Sequence, residues 1–480
     1  MFRRLACLVL SVALVPTVAR AQQPGEPIRL LVSPASLSTP RLKYRLLPDP
    51  RELTTGNAAT LYYRSMAMLY ENNALLQDLK GGHWSDWVRT PLKDLPRKEV
   101  QEKLNLARNL FHELDLAAQC RTCDWQIDGR KEGFGLLLPE VQGFRSVASA
   151  LAVRARYQIA TGDWARALTS FQTGYALARN LGEGPTLIHV LVGNAVAHLM
   201  HYQVEEFVAQ PGAANLYWSL MIMPRPFFNL EHASLEEGRM VENMLPWVKQ
   251  LDKGPMTAAQ LQAGLTELRA ELDRFGLRRP ALSGVLGQSV LIMGAYPEAK
   301  KALLARDFTA EQLEAMPNLQ VVALYAFREY RESSDELLMW SRVPNGFKHK
   351  GYQESRERAR KAMARLDLLF FSGLLTALTD GEPAAIERVQ RAVHRTDRRL
   401  AALACVEALR LYAASHEGKW PTNLEEITEV PVPVDPVTGK PFEYELNGEW
   451  AVLSIPIPPD EKPQRAELLT YHLKLRPREK

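Results

Sequence analysis

Asp435-Pro436-Val437-Thr438-Gly439-Lys440-Pro441 decides the reading of the whole chain, because it stands where a long helical pattern gives way to turn and strand. Turn chemistry is written into it. The Asp carboxylate can accept from a backbone N–H ahead, Pro436 fixes one dihedral, and Gly439 can take a positive φ. Before the run, Ala402, Cys405, Val406, Leu409, Tyr412 and Ala413 fall on one helical stripe, with Gly418 as the stop and Pro421 beyond it. Thr422-Asn423-Leu424-Glu425 reads as a capping box opening one short helical turn, and Val430-Pro431-Val432-Pro433 as extended. After the run, Phe442, Tyr444 and Leu446 alternate as a strand, Asn447-Gly448 signals a hairpin, and Trp450 to Ile455 returns. Leu468 to Leu475 can add a further strand.

Upstream the pattern is helical. The central signal is a hairpin at 144–181, with Thr161-Gly162-Asp163 between two helices and Ala155, Gly162, Asp163, Trp164, Ala167 and Phe171 at tetratricopeptide spacing. Small residues let the helices approach, Gly162 allows the tight turn, and Phe171 plugs the groove. Gly174 stands where that repeat usually has Ala. One such hairpin cannot bury its own face, so neighbours must stack on it, and Thr186 to Ala209 is the first candidate. Further helices are expected at 57–80, 97–118, 214–222, 234–251 (kinked at Pro246), 258–275, 281–305, 309–340, 352–379 and 383–416. No strict repeat period continues. The expected class is mainly α: an irregular tetratricopeptide-like helical array with a small C-terminal α+β module.

The C-terminal order resembles the globular part of the major pseudopilin of bacterial type II secretion. Leu409 and Tyr412, then Asp435, Pro436, Gly439, Pro441, Phe442 and Tyr444, occupy the matching places, with one extra residue before Gly439. The resemblance covers about 60 residues. It implies a pseudopilin-like fold, but the prepilin motif and its membrane helix are absent, so assembly as a pilin is not implied. Pseudopilins hold calcium in an acidic loop after the second strand. Here that loop, 455–461, has two carboxylates, and calcium is not carried over. The chain as a whole resembles exported bacterial proteins that pair a helical body with this module, through Cys120-x-x-Cys123-Asp124-Trp125, Gly162-Asp163-Trp164 and Leu181 to Ile188. That likeness implies architecture and export, and no reaction.

The first residues read as an export signal: Arg3 and Arg4, an apolar run from Leu5 to Val15, Pro16, and small residues at Ala19 and Ala21. Cleavage is expected after Ala21, with localisation in the periplasm or outside the cell. The expected divisions are 1–21 signal peptide, 22–56 extended segment, 57–382 helical array, and 383–480 long helix plus hairpin module. Within 22–56, Leu42 to Leu47 is the expected strand, with the C-terminal strands as partners, so that the two ends of the chain would meet. No later run has about 18 uninterrupted apolar residues, so no membrane span is expected after cleavage. The formal charge of +4 falls to about +1 without Arg3, Arg4 and Arg20, and no basic field for nucleic acid remains.

Candidate chemistry is sparse. Cys120 and Cys123 could be a structural disulfide or reduced pair, half a metal site, or a redox dithiol. A redox dithiol wants a helix N-terminus, whereas this pair follows a helix in sequence. His198, His201 and Glu205 share a helical face and could hold a metal, although an apolar run surrounds them. Glu231, His232, Glu236 and Glu237 suit a helix N-terminus as well as acid–base work. No phosphate loop, dinucleotide fingerprint, nucleophile elbow or zinc-protease motif occurs, and no cofactor is expected. The leading expectation is therefore a non-catalytic protein that binds a protein partner through its helical groove. The alternative is a metal-dependent or redox-active envelope enzyme.

Overall fold

The computed structural model describes residues 26–127, 139–236, 245–274, 285–343, 349–371, 384–457 and 468–477. The expected signal peptide, Glu237 and most of the acidic loop lie outside the described residues. The chain is mostly helical with one small four-stranded sheet.

The sheet joins the two ends of the described chain. Strand β1 (Ile28–Val32) runs parallel to β6 (Thr470–Leu475), with Leu30 opposite Leu473. β6 pairs antiparallel with β5 (Trp450–Ser454), and β5 with β4 (Glu443–Asn447) through the hairpin at Gly448. Ile28, Leu30, Val32, Ala451, Leu453, Tyr471 and Leu473 are all buried, so one face of the sheet is a core face. The ends do meet, but not through Leu42 to Leu47. That stretch is a series of turns whose carbonyls are used by side chains: Ser219 Oγ donates to Tyr44 O at 2.6 Å and Gln172 Nε2 to Arg45 O at 3.2 Å. With the Tyr44 and Arg45 carbonyls bonded to side chains of helices, those two positions are not free to join a ladder.

The helices follow in short-looped order. β2 (Thr54–Asn57) leads into α1 (Ala58–Glu71), then α2 (Asn73–Lys80), α3 (His83–Trp87), α4 (Arg97–Leu106) and α5 (Arg108–Ala118). The expected single helix at 97–118 is broken at Ala107, where φ −88 and ψ 7 leave the helical basin. β3 (Cys120–Thr122) pairs parallel with β2. α6 (Pro139–Ala160) and α7 (Trp164–Gly182) form a hairpin, and α8 (Leu187–Val208) packs on both. Gly162, at φ +74, ends α6 with two backbone bonds, from its own N–H to Ile159 O and from Asp163 N–H to Gln158 O. Asp163 then caps α7 by accepting from Arg166 N. Ala155, Ala167 and Phe171 are fully buried, and the Phe171 ring meets Phe207 of α8 edge-on at 5.9 Å. Gly174 faces Met200: a Cβ there would lie 2.1 Å from its Sδ. An Ala at this position would require the Met200 side chain to move.

α9 (Tyr217–Met221) closes this region, and α15 (Ala384–Ser415) returns to it much later. Residues 400–413 are buried on every side, where the sequence suggested a single stripe. Both core charges of that stretch are paired. Arg410 Nη1 donates to both Glu407 carboxylate oxygens at 2.9 Å, Nε to Ser33 O and Nη2 to Ala213 O. Ala35 N donates to Arg410 O, and Asn215 Nδ2 to both Ala35 O and Glu407 O. One buried guanidinium thus ties the segment after β1 to α15 and to the approach to α9.

Between these parts lies a second core. It is built from the turn Pro246–Gln250, α10 (Ala258–Arg274), α11 (Val285–Leu304), α12 (Ala310–Glu314), α13 (Asn318–Arg342), α14 (Lys350–Leu366) and the turn Asp367–Phe371. Gln320 is buried at its heart, accepting from Met256 N and donating to Leu251 O and Gly254 O. The first core takes residues from 28 to 233 and again from 389 to 473, whereas the second runs from 245 to 370. A division at residue 382 therefore does not follow the packing, because α15 and the sheet are built into the first core.

Candidate functional site

A cleft of about 570 Å³ opens at the turn end of the α6–α7 hairpin. Helices α4 and α5 form one wall, with Gln101, Asn105, Arg108 and His112 exposed along it. Tyr157, Thr161, Asp163 and Arg166 form the other, so the Gly162 turn that closes the hairpin also shapes the rim.

The floor is an organised ion pair. Arg154 is 9% exposed and donates to Asp115 through two bonds of 2.8 and 2.9 Å. Its Nε donates to Ser170 Oγ at 2.9 Å, and its guanidinium lies 4.8 Å from the centre of the Phe111 ring. Thr173 Oγ1 donates to Asp115 Oδ1 at 2.5 Å. Asp115 is 35% exposed at its side chain and accepts three bonds, so the pair orders the floor while the rim side chains face outward. Neither Arg154 nor Asp115 was singled out in the sequence. The available signal was the pair Arg154 and Arg156 directly after the apolar run Ala150 to Val153.

The His198/His201/Glu205 face does not form a metal site. Glu205 accepts from Arg399 at 2.8 and 2.6 Å and from Tyr471 OH at 2.6 Å, so both its oxygens are occupied. His201 is buried, with Nδ1 2.7 Å from Tyr175 OH. Burial, followed by the nearby Arg399 and Arg395, pushes His198 down to about 3. Burial likewise holds His201 well below the usual imidazole range. His201 is a neutral core imidazole, and the half-buried His198 beside it is held neutral too. Among the described residues no cluster of three His, Cys, Asp or Glu could hold a metal ion.

Cys120, Cys123 and Cys405 are free thiols. Although the pair follows α5 in sequence, the fold brings it to the start of α1. Thr122 Oγ1 donates to Gly56 O at 2.7 Å, Asp124 N donates to Asn57 Oδ1 at 2.8 Å, and Asn57 Nδ2 returns a bond to Asp124 O at 2.7 Å. Trp125, next in the chain, is a core plug. It stacks on Tyr62 at 5.6 Å, meets Phe144 and Tyr63 edge-on, and donates from Nε1 to Asn180 O at 2.7 Å.

The Asp435 turn forms as its chemistry demands. The fully buried carboxylate accepts from Thr438 N at 3.1 Å and Thr438 Oγ1 at 2.7 Å, while Gly439 takes φ +68 and its N–H donates to Asp435 O. Arg398 of α15 adds bonds of 3.0 and 3.3 Å to the same carboxylate. Val434 and Pro441, on either side of Pro436, form a β-bridge, and Tyr444 OH donates to Pro421 O at 2.9 Å. These residues brace the module against α15 and take no part in the cleft.

No family model, curated protein or solved structure matches this chain.

Proposed function

We propose that this is an exported, non-catalytic protein of the cell envelope that acts by protein–protein interaction or scaffolding. In this reading the tetratricopeptide-like hairpin is the binding framework, and the pseudopilin-like end is a closing element. The observation that carries it is the cleft above the Arg154–Asp115 pair. Its floor is held by the two bonds of that pair, and its rim offers exposed side chains of two helices and a turn. A preorganised floor with a polar rim suits contact with a partner's side chains. The leader pattern of Arg3, Arg4 and the apolar run to Val15 supports export, with Gln22 as the new N-terminus. The candidate residues for metal or redox catalysis are instead absorbed into packing, ion pairs and turns.

The test is site-specific photo-crosslinking in the native cell. A photoreactive residue at Gln101 or Arg108 should give one discrete adduct, absent when the probe is placed at exposed Lys361 on α14. No discrete adduct from the cleft positions, or the same adducts from Lys361, would contradict the reading.

A further inference from the structure

The charges lining the cleft do not cancel one another. Its two acids are already engaged: Asp115 accepts two bonds from Arg154 and one from Thr173 in the floor, and Asp163 caps α7 by accepting from Arg166 N. Of the cations, Arg154 is held by Asp115. Arg108 stands exposed at the start of α5, and its side chain has no hydrogen bond or ion pair to the described residues. Arg166, on the facing wall, is 78% exposed at its side chain and comes no closer than 3.4 Å to the Asp163 carboxylate. An exposed pair of that kind contributes little and yields to a better-placed carboxylate. The Arg108 wall also carries the side-chain amides of Gln101 and Asn105, one turn apart on α4 and likewise without side-chain partners among the described residues. Leu104 and Tyr157 add apolar surface.

We infer that the cleft takes an acidic segment of the partner protein, with an Asp or Glu side chain of that partner seated on the Arg108 guanidinium, and that Arg166 supplies the second cation of the site. That assignment rests on the cleft being the binding site proposed above, and it adds the sign of the partner's charge. A guanidinium presents parallel N–H donors that match the two oxygens of one carboxylate. The other kinds of segment fare worse. A basic one would set a like charge against Arg108. An apolar one would take water from the guanidinium and return no counter-charge, which is costly. The cleft's own acids do not fill that place, because one is fixed in the floor and the other at the start of α7.

The experiment places the photoreactive residue at Gln101 of the full chain, in the native cell, and changes Arg108. Adduct yield should fall about tenfold in Arg108→Glu, fall less in Arg108→Gln and stay highest in Arg108→Lys, since these put a repelling, a neutral and an attracting group in one place. Lys361→Glu, on α14, should leave the yield unchanged. Mass mapping of the adduct should find Asp or Glu in the crosslinked peptide of the partner. Replacing that acid by Lys should restore the yield with the Arg108→Glu chain, a rescue that loss of folding would not give. Equal yields from Arg108→Glu and Arg108→Lys, an equal loss in Lys361→Glu, a crosslinked peptide without Asp or Glu, or no rescue by the exchanged charges would overturn the acidic-partner assignment while leaving a partner in the cleft. No discrete adduct from the unaltered cleft would overturn the binding site itself, and the assignment with it.

Discussion

At the residue scale, buried ionisable groups of this protein fall into two kinds. Some are paired, as Arg410 is with Glu407 and Arg399 with Glu205. Removing one partner of such a pair strands the other without water, so these pairs specify the packing more than they add net stability. Others are held neutral. Burial pushes His189 and His394 down to about 4 and His198 to about 3. Below pH 6.5 the unfolded chain takes up protons at these sites that the folded chain refuses, so stability present above 6.5 is lost as pH falls toward 4. Asp397 works the other way. Buried and accepting from Phe227 N–H, it rises to about 6, so the folded state gains there between about 6 and 3.8. Burial also raises Glu206 and Glu407. With His201, also held low, four lowered histidines face three raised acids, and each proton taken up only by the unfolded chain costs about 1.4 kcal/mol per pH unit. Urea unfolding followed at pH 7.5 and pH 5 should therefore show a lower midpoint at pH 5. An equal or higher midpoint would show that the acids dominate.

At the scale of elements, helices were legible and the first strand was not. Apolar spacing and end signals located the hairpin and α8 closely: Gly162 and Asp163 turn the chain where expected, and Thr186 caps α8 through its side chain. The Asp435 turn was legible because its bonds are local. β1 was missed because Ile28 to Val32 is only five residues long and its partner lies at the far end of the chain. A strand of that length is defined by its ladder rather than by its own sequence. The Arg398 and Arg399 anchors were missed for the same reason, since their acids, Asp435 and Glu205, are distant in sequence. The α7–α8 contact also shows what spacing cannot: how near two backbones come. A Cβ on Gly193 would lie 2.5 Å from Ala178 O and 3.1 Å from Gly182 N, both rigid backbone atoms. Gly193→Ala should therefore destabilise the protein by about 2 kcal/mol, as overpacking does, measured by urea denaturation. A change within about 0.5 kcal/mol, the size of an ordinary surface substitution, would mean that the helices can separate at little cost.

At the scale of the whole molecule, the two ends of the described chain complete one core while its middle builds another. β1 beside β6, Arg410 on Ser33 O, and Tyr471 OH on Glu205 place N-terminal, central and C-terminal residues in a single packed unit. That unit also carries the cleft, because α4 to α7 belong to the same core. Such an arrangement makes the first core cooperative over long sequence separation, and lets the 245–370 core open separately. The most direct test is hydrogen exchange with mass spectrometry at increasing urea concentrations. Peptides spanning 28–32, 187–208, 400–413 and 470–475 should lose protection together, at a urea concentration different from that for 258–274 and 318–342. Early exchange of 28–32 or 470–475 while 187–208 stays protected, or one transition across all six, would contradict a first core closed by both ends of the chain.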